Sequence, residues 1–401
     1  MAIMILSTIL KPFTTKKRQV STLVNVLGLA LGLAISMMIW MFVLHETRYD
    51  KFHADYQDIY RIHSTAGLGQ GEPQTIPAAM FELGETIKRS FPEVKEVVRF
   101  TSYYHSPDVV FREEATTLSG ILFGEDNFFE VFNFELLAGD PSTVLADPVN
   151  IVLSESTAAR LAGSPMDALY QTMSIQGETY HVAGIMKDLP ENTHMAFNAM
   201  ANHERLPNQI KASGTNFFTY LKLTPDTDIR ALENKLDETV KEVIQGNSIY
   251  DGIPMVIENA LMNLADIHLD SSYIWELKDN GSRRNVIIFS LLSIFILLIE
   301  IINFVNLSTA NSTLRAKEIG IRKVSGASRV ELFKQLMVES FILTAIAFFL
   351  AMALAEAFSP YFSEQMGVHL SSSAIFTLRG VLLSLGTLLF TALLAGLYPA
   401  F

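Results

Sequence analysis

The fold of this chain is decided by Val20–Leu44, whose sequence VSTLVNVLGLALGLAISMMIWMFVL carries no charged side chain over 25 positions. A helix rises 1.5 Å per residue, so this run is longer than the roughly 30 Å hydrocarbon core of a bilayer. The apolar core of a secretory signal is only about 7–15 residues long, so the length predicts a membrane anchor. Basic residues precede the run and place the N-terminus in the cytoplasm by the positive-inside rule, namely Lys11, Lys16, Lys17 and Arg18.

The whole chain is apolar, with 49% hydrophobic residues and a mean hydropathy of +0.28, which is typical of a membrane protein. Further apolar runs predict a membrane α-helical fold with four transmembrane helices, at 20–44, 286–308, 336–357 and 379–401. The remaining segments are a cytoplasmic N-terminus (1–19), a large extracytoplasmic domain inserted between helices 1 and 2 (45–285), a cytoplasmic helix and turn (309–335) and a short extracytoplasmic loop (358–378).

Charge is divided unevenly between these segments. The chain has a net charge of −12, but residues 1–19 and 306–335 together carry +8, whereas residues 45–285 carry −17. Both basic segments fall on the same predicted side of the membrane, which agrees with one topology. The acidic domain argues against nucleic acid as a partner. Because the chain has no cysteine, this domain of about 240 residues must be held by its own core rather than by disulfides.

The domain at 45–285 shows mixed periodicities that predict an α+β fold in two lobes, with boundaries near 135–145 and 210–225. Helices are predicted at Ile76–Ser90, Asn127–Phe132 and Asp228–Ile244, with a further helix from the N-cap Ser154 to the stop at Gly163. Strands are predicted at Asp58–His63, Val94–Thr101, Asn150–Leu153, Met173–Ile175, Tyr180–Ile185, Asn216–Leu223 and Met255–Glu258. Gly177-Glu178 marks a hairpin between two of these strands.

The sequence contains no pattern typical of an enzyme. It has no P-loop, no HExxH and no GxSxG motif. His45, His53 and His63 are spaced so that they share no helical face, and His194 belongs to a predicted turn rather than to a metal site. We therefore predict no catalytic, cofactor-binding or metal-binding residue in this chain.

The segment between the second and third spans is basic and helix-forming, and reads TLRAKEIGIRKVSGAS (Thr313–Ser328). Arg315, Glu318 and Arg322 lie three and four positions apart, so they share one face of a helix and can form a ladder of charges. Gly320 costs this helix about 1 kcal/mol relative to alanine. The pattern predicts a docking element that faces a soluble partner.

The end of this segment carries its own structural signals. Gly326 is a predicted helix stop, and Ser328 with Glu331 is a predicted capping box for the next helix. The sequence therefore predicts a short helix, a turn and a new helix that enters the membrane.

Glu300 is the one charged residue of the second span, about 21 Å from Val286 along a helix. A carboxylate inside a bilayer is costly unless it is protonated, paired or near the headgroups. A proton relay or interhelix contact is one interpretation. A residue near the inner interface that faces another helix is the favoured one.

The arrangement of spans resembles the MacB/FtsX-like permeases, the membrane subunits of mechanotransmitting ABC transporters. The resemblance lies in Arg315–Ala327, in Asn25–Leu33 of the first span, and in Tyr49–Arg61 and Val182–Asn192 of the inserted domain. It implies that a separate ABC ATPase subunit, which binds ATP and Mg, docks on a cytoplasmic coupling helix at 309–326. The docking residues implied are Arg315, Lys317, Glu318, Ile319, Gly320, Arg322, Lys323 and Gly326.

The resemblance also implies the partners and the location of the chain. A second permease unit would pair with it in the inner membrane, as a homodimer or a tandem half, together with lipid and a periplasmic adaptor. The Tyr398–Phe401 ending is similar to that of relatives with eight spans, so the chain is either a complete four-span unit or the N-terminal half of such a permease. The implied function is export or extraction of a peptide, lipoprotein or drug. A membrane-tethered sensor that signals through the cytoplasmic helix is the alternative.

Overall fold

A computed structural model describes residues 16–68, 73–102, 107–212, 217–245, 255–313, 328–368 and 385–393, together with Ile321 and Val324. The chain forms two compact units. One consists of Met1–Thr47 with Arg283–Phe401, and we refer to it as the helical unit. The other is Arg48–Ser282, which we refer to as the inserted domain.

The described part of the helical unit contains three long helices: α1 (Lys16–Glu46), α9 (Arg283–Thr313) and α10 (Arg329–Met366). Each contains a stretch that is long and apolar enough to cross a membrane, at Gln19–Glu46, Arg283–Leu307 and Val330–Met366. The fourth predicted span, 379–401, lies largely outside the described residues, of which 385–393 are helical. Three of the four predicted spans therefore coincide with suitable helices, and the fourth stays a prediction.

Helix α10 is longer than the span expected at 336–357. Residues 358–366, predicted as an external loop, continue the helix through Pro360. The helix ends instead at Gly367, whose φ of 66° is left-handed and whose N–H bonds back to the carbonyl of Glu364. A proline removes one backbone hydrogen bond, but long membrane helices tolerate this loss when neighbouring groups satisfy the freed carbonyl. The predicted loop at 358–378 therefore begins with nine helical residues, 358–366.

The inserted domain combines strands with short helices, which confirms the predicted α+β class. Its strands are β1 (Ile59–Leu68), β2 (Gln74–Ile76), β3 (Val94–Thr101), β4 (Asp108–Phe111), β5 (Glu114–Thr117), β6 (Ile121–Gly124), β7 (Leu136–Ala138), β8 (Asn150–Ser154), β9 (Thr172–Ile175), β10 (Glu178–Met186), β11 (Ala199–Asn202), β12 (Phe218–Leu223) and β13 (Met255–Asn263). Its helices are α2 (Phe81–Ser90), α3 (Phe128–Val131), α4 (Glu155–Ala162), α5 (Pro165–Ala168), α6 (Asn208–Ala212), α7 (Ile229–Gln245) and α8 (Ile267–Asp270).

All these strands belong to one sheet, in the order β13-β1-β12-β3-β6-β11-β8-β10-β9-β4-β5, with β2 paired to β1 and β7 to β10. Most neighbours are antiparallel, whereas β6–β11 and β8–β10 are parallel. The two expected lobes are thus not separated in the sheet, because β6, β11 and β8 join its two halves through backbone hydrogen bonds. Sequence periodicity predicts seven of these strands and shows none of the long-range pairings; the strands it misses are β2, β4, β5, β6, β7 and β11.

Three apolar clusters cover this sheet. Helices α2 and α7 contribute Leu83, Ile87 and Leu236 to one cluster. A second, central cluster is rich in aromatic rings and includes Phe100, Phe128, Phe132, Phe134 and Tyr220. The third lies around α4 and the strands β6, β8 and β9. Because the chain has no cysteine, the inserted domain is stabilised by burial of these apolar clusters rather than by disulfides.

Several local predictions are confirmed. Strand β3 has the predicted bounds, and helix α4 is capped by Ser154, whose hydroxyl accepts the backbone N–H of Thr157 at 3.3 Å. That helix ends at Gly163 with a φ of 87°. The predicted hairpin is present, but its turn is Gln176-Gly177 rather than Gly177-Glu178, because Glu178 already pairs with Ile175. Gln176 and Gly177 both have positive φ, as a two-residue turn between twisted strands requires.

The helix predicted at Ile76–Ser90 begins five residues late, at Phe81. Residues Gln74–Ile76 form strand β2 instead, and Ile76 pairs with Ser64 of β1. The residue before a proline is disfavoured in the helical region, so Pro77 keeps Ile76 extended.

Candidate functional site

Helices α1 and α9, which flank the inserted domain in sequence, are joined by side-chain hydrogen bonds inside the helical unit. The hydroxyl of Ser36 donates to the carbonyl of Ser293 at 3.1 Å, and the hydroxyl of Ser293 donates to the carbonyl of Ser36 at 3.2 Å. Eleven residues away on each helix, the Asn25 amide donates to the carbonyl of Phe304 at 3.3 Å. The helices therefore run antiparallel, in a fixed register set by polar contacts that a bilayer favours.

Glu300 lies between these polar contacts and packs on the glycine face of α1. A Cβ atom at Gly32 would lie 2.0 Å from Glu300 Cγ, and one at Gly28 would lie 3.5 Å from its Oε2. Only glycine leaves room for the glutamate stem at position 32. Glu300 thus faces another helix, and its role as a relay or as a packing residue remains a prediction.

In the inserted domain, the first residues after α1 are anchored by a buried carboxylate. Asp50 is fully buried, has a φ of 56°, and accepts hydrogen bonds from the Thr193 hydroxyl at 2.6 Å and from the His194 backbone N–H at 3.1 Å. The ring Nδ1 of His194 lies 2.8 Å from the same carboxylate. Burial on its own would raise the pKa of Asp50, but His194 and Thr193 outweigh it and hold that pKa below its ordinary value.

His194 continues this chain of hydrogen bonds into the sheet. Its Nε2 lies 2.6 Å from the hydroxyl of Tyr220, a fully buried residue of β12. Burial raises the pKa of Tyr220, so the phenol keeps its proton. An Asp–His–Tyr chain therefore connects Asp50, near the start of the inserted domain, to the centre of the sheet.

A buried ion pair makes the corresponding connection for the segment before α9. Arg61 of β1 is fully buried, and its Nη1 and Nη2 donate to the two carboxylate oxygens of Glu276 at 2.8 and 2.7 Å. Arg61 also donates to the Ser271 hydroxyl at 3.2 Å. In the sheet, Arg61 is the antiparallel partner of Tyr220. We refer to Asp50, Arg61, His194, Tyr220 and Glu276 as the linking network.

Further contacts hold the same segments together. The ring of Tyr49 stacks on His268 with centroids 3.3 Å apart, and Lys278 Nζ lies 5.5 Å from the centroid of the Tyr49 ring. Lys278 also donates to the carbonyl of Glu191 at 2.6 Å, and the Asn192 amide donates to the carbonyl of Arg48 at 3.0 Å. Residues 48–50, 191–194 and 268–278 therefore form one connected cluster.

The sequence-based view of His194 as a turn residue is incomplete. The residue does follow a turn, but its ring is buried and hydrogen-bonded on both nitrogens. The sequence signal for this site consists of two polar segments, Asp188–His194 and Tyr49-Asp50. Periodicity cannot show that these two segments lie together in the fold. In the described residues, no three His, Cys, Asp or Glu side chains are grouped as a metal site requires.

The predicted docking residues, Arg315, Lys317, Glu318, Ile319, Gly320, Arg322, Lys323 and Gly326, lie outside the described residues. Ile321 and Val324 are exposed. The predicted capping box is confirmed, because Ser328 N–H donates to Glu331 Oε2 at 2.9 Å and Glu331 N–H donates to Ser328 Oγ at 3.2 Å.

An open cleft of about 430 Å³ lies beside α4 in the inserted domain. Its lining is polar and consists of Thr117, Ser119, Ser156, Thr157, Arg160 and Asn198. These side chains supply hydrogen-bond donors and acceptors but no pair of groups suited to acid–base catalysis near neutral pH. The cleft therefore offers a polar surface rather than reaction chemistry.

Comparisons with known proteins agree with this arrangement. Residues 22–239 match the family model of the MacB-like periplasmic core domain, and residues 290–401 match that of the FtsX-like permease C-terminal domain. The macrolide export ATP-binding/permease protein MacB of Bdellovibrio bacteriovorus is 32% identical over 99 residues, which are 25% of this chain and 15% of that protein.

Solved structures similar to this chain include a domain of a putative permease from Porphyromonas gingivalis, at 18% identity and a TM-score of 0.45 over 53% of this chain and 91% of that one. The periplasmic region of MacB from Actinobacillus actinomycetemcomitans is 18% identical, with a TM-score of 0.38 over 52% of this chain and 90% of that one. The periplasmic core model alone spans more than half of the 401 residues, and the permease model covers the helices that follow. The chain belongs to the MacB/FtsX-like family of ABC transporter permeases.

Proposed function

We propose that this chain is the permease subunit of an ABC transporter in the inner membrane, where it couples ATP hydrolysis by a separate ATPase to motion of its periplasmic domain. The observation that carries the proposal is the pairing of α1 with α9 in the helical unit, matched by the linking network at the two ends of the inserted domain. Force applied to one helix is passed to the other through Ser36, Ser293 and Glu300. The force then reaches the inserted domain. Its first segment is joined to β12 through His194 and Tyr220, and its last segment is joined to the neighbouring strand β1 through Glu276 and Arg61.

The linking network suits this role because it is stiff. A buried Arg–carboxylate pair with two parallel hydrogen bonds has little freedom to slide, and loss of one partner costs about 3–5 kcal/mol. The Asp–His–Tyr chain is fully buried as well. Both connections converge on the neighbouring residues Arg61 and Tyr220, so a displacement of either membrane helix reaches the sheet at one place.

The ATPase partner is proposed as a separate chain because no P-loop occurs in this sequence. We assign its docking to the basic segment at 309–326, through Arg315, Lys317, Glu318, Arg322 and Lys323. ATP and Mg would be bound by that partner. The second permease unit, a periplasmic adaptor and the N-terminus in the cytoplasm belong to the same proposal, with a peptide, lipoprotein or drug as the substrate.

Co-purification with an ABC ATPase subunit from the same organism tests the proposal. We expect Glu318→Lys and Arg322→Glu to abolish co-purification and the stimulation of ATP hydrolysis, because each reverses a charge on the proposed docking face. Arg89→Glu is the matched control, since Arg89 is an exposed residue of α2 in the inserted domain. If both docking variants behave like the control, the segment does not dock an ATPase, and the sensor alternative gains support.

A further inference from the structure

The loop before α9 presents two apolar side chains to solvent at the tip of a turn. Ile274 and Trp275 are 47% and 67% exposed, and Trp275 has a φ of 71°. A left-handed residue at such a turn is ordinarily glycine, because a side chain is strained there. The chain instead places its largest side chain at this position.

The residues on both sides of Trp275 are firmly held. Glu276 is bound to buried Arg61, and Leu277 packs against the central aromatic cluster. The Asn280 amide donates to the carbonyl of Ser271 at 2.9 Å and closes the base of the loop. Trp275 is therefore held outward by a rigid frame, so its exposure is a property of the loop.

Chain connectivity brings this loop close to the membrane surface. Asn280 is only three positions from Arg283, the first residue of α9, so their Cα atoms are at most about 11 Å apart. The apolar run of α9 starts at Val286, so Arg283 stands at the level of the lipid headgroups. At the other end, Tyr49 follows the last residue of α1 by three positions and stacks on His268, which precedes the loop.

We propose that Ile274 and Trp275 insert into the headgroup layer of the leaflet on the side of the inserted domain. Tryptophan favours this layer because its ring is apolar and its indole N–H still reaches water. The short connection to α9 also brings the membrane surface within reach of the loop. The inserted domain would thus be anchored to lipid beside the point where the chain enters α9.

The chain allows a direct test because it contains two tryptophans, Trp40 in α1 and Trp275. Trp40→Phe leaves Trp275 as the single fluorophore of the full chain in lipid vesicles, and Trp40→Tyr replaces it if that variant folds poorly. We expect lipids brominated near the carbonyl to quench Trp275 about twofold more than lipids brominated near the methyl end, since the ring lies in the headgroup layer. Aqueous iodide should quench it weakly.

A control reports on a water-exposed position of the same domain. Tyr170 is 80% exposed, and Tyr170→Trp in a Trp40→Phe/Trp275→Phe background should be quenched by iodide and not by brominated lipid. If Trp275 behaves like this control, the proposal is wrong. If Trp275 is shielded from both quenchers, a protein such as a second copy of the chain covers the loop, and the lipid proposal is equally overturned.

Discussion

His194 Nδ1 lies 2.8 Å from Asp50 Oδ2 and joins two residues that are 144 positions apart in the chain. Because the pKa of Asp50 is held below its ordinary value, the carboxylate is an acceptor and Nδ1 carries the proton. Nε2 of the same ring lies 2.6 Å from the hydroxyl of Tyr220. The imidazole of His194 thus connects the segment after α1 to the sheet.

Asp50→Ala should lower the free energy of unfolding of the inserted domain by about 2–3 kcal/mol, because it leaves the buried donors of His194 and Thr193 without an acceptor. Denaturant unfolding of the full chain in detergent, followed by Trp275 fluorescence in the Trp40→Phe background, measures this change. Asp55→Ala is the control, because Asp55 forms a partly exposed ion pair with Lys222. Equal effects of the two variants would show that the linking network adds no stability.

Glu276→Ala should cost about 3–5 kcal/mol by the same measurement, because it leaves the buried guanidinium of Arg61 without its carboxylate. The control is Glu135→Ala, since Glu135 pairs with Lys187 at the surface and such pairs contribute at most about 1 kcal/mol. A loss below about 1 kcal/mol for Glu276→Ala would contradict the account of this ion pair.

The stability of the inserted domain should fall as the pH is lowered from 6.5 to 4. Burial holds the pKa of His53 at about 4, whereas the unfolded value is 6.5, so the unfolded chain binds more protons within this window. His53 contributes on the order of 3 kcal/mol to this pH dependence. Asp50, whose pKa is lowered, adds a further loss only below its unfolded value of 3.8.

Unfolding at pH 6.5 and pH 4 for wild type and His53→Phe measures this contribution. The variant should show a smaller difference between the two pH values. His181→Phe, at an exposed ring of β10, serves as the control. The same pH difference in wild type and His53→Phe would contradict the assignment.

Gly32→Ala should disturb the contact between α1 and α9, because the new Cβ would overlap the stem of Glu300. Since the chain has no cysteine, Ser36→Cys with Ser293→Cys reports the contact as the yield of disulfide crosslinking. We expect Gly32→Ala to reduce this yield and a second change, Glu300→Ala, to restore it.

The control for this experiment is Gly386→Ala, which meets no atom within 4 Å. An undiminished crosslink in Gly32→Ala would show that Glu300 does not pack on this glycine.

Local features of the fold were predictable from local sequence. The Ser154 cap, the stop at Gly163 and the Gly177 hairpin each depend on residues a few positions apart. The length of α10 was not, since the predicted span ends at 357 whereas the helix continues through Pro360 to Met366. The linking network could not be predicted at all, because Asp50, His194 and Tyr220 meet only through the pairing of distant strands.

The most direct test of the central claim is hydrogen exchange of the full chain in complex with its ATPase, with and without ATP and vanadate. We predict that trapping the nucleotide changes exchange at residues 48–50, 191–194 and 268–278, and that Arg322→Glu abolishes this change. Identical exchange in these three segments with and without trapped nucleotide would contradict the claim that the linking network carries motion from the ATPase to the periplasmic domain.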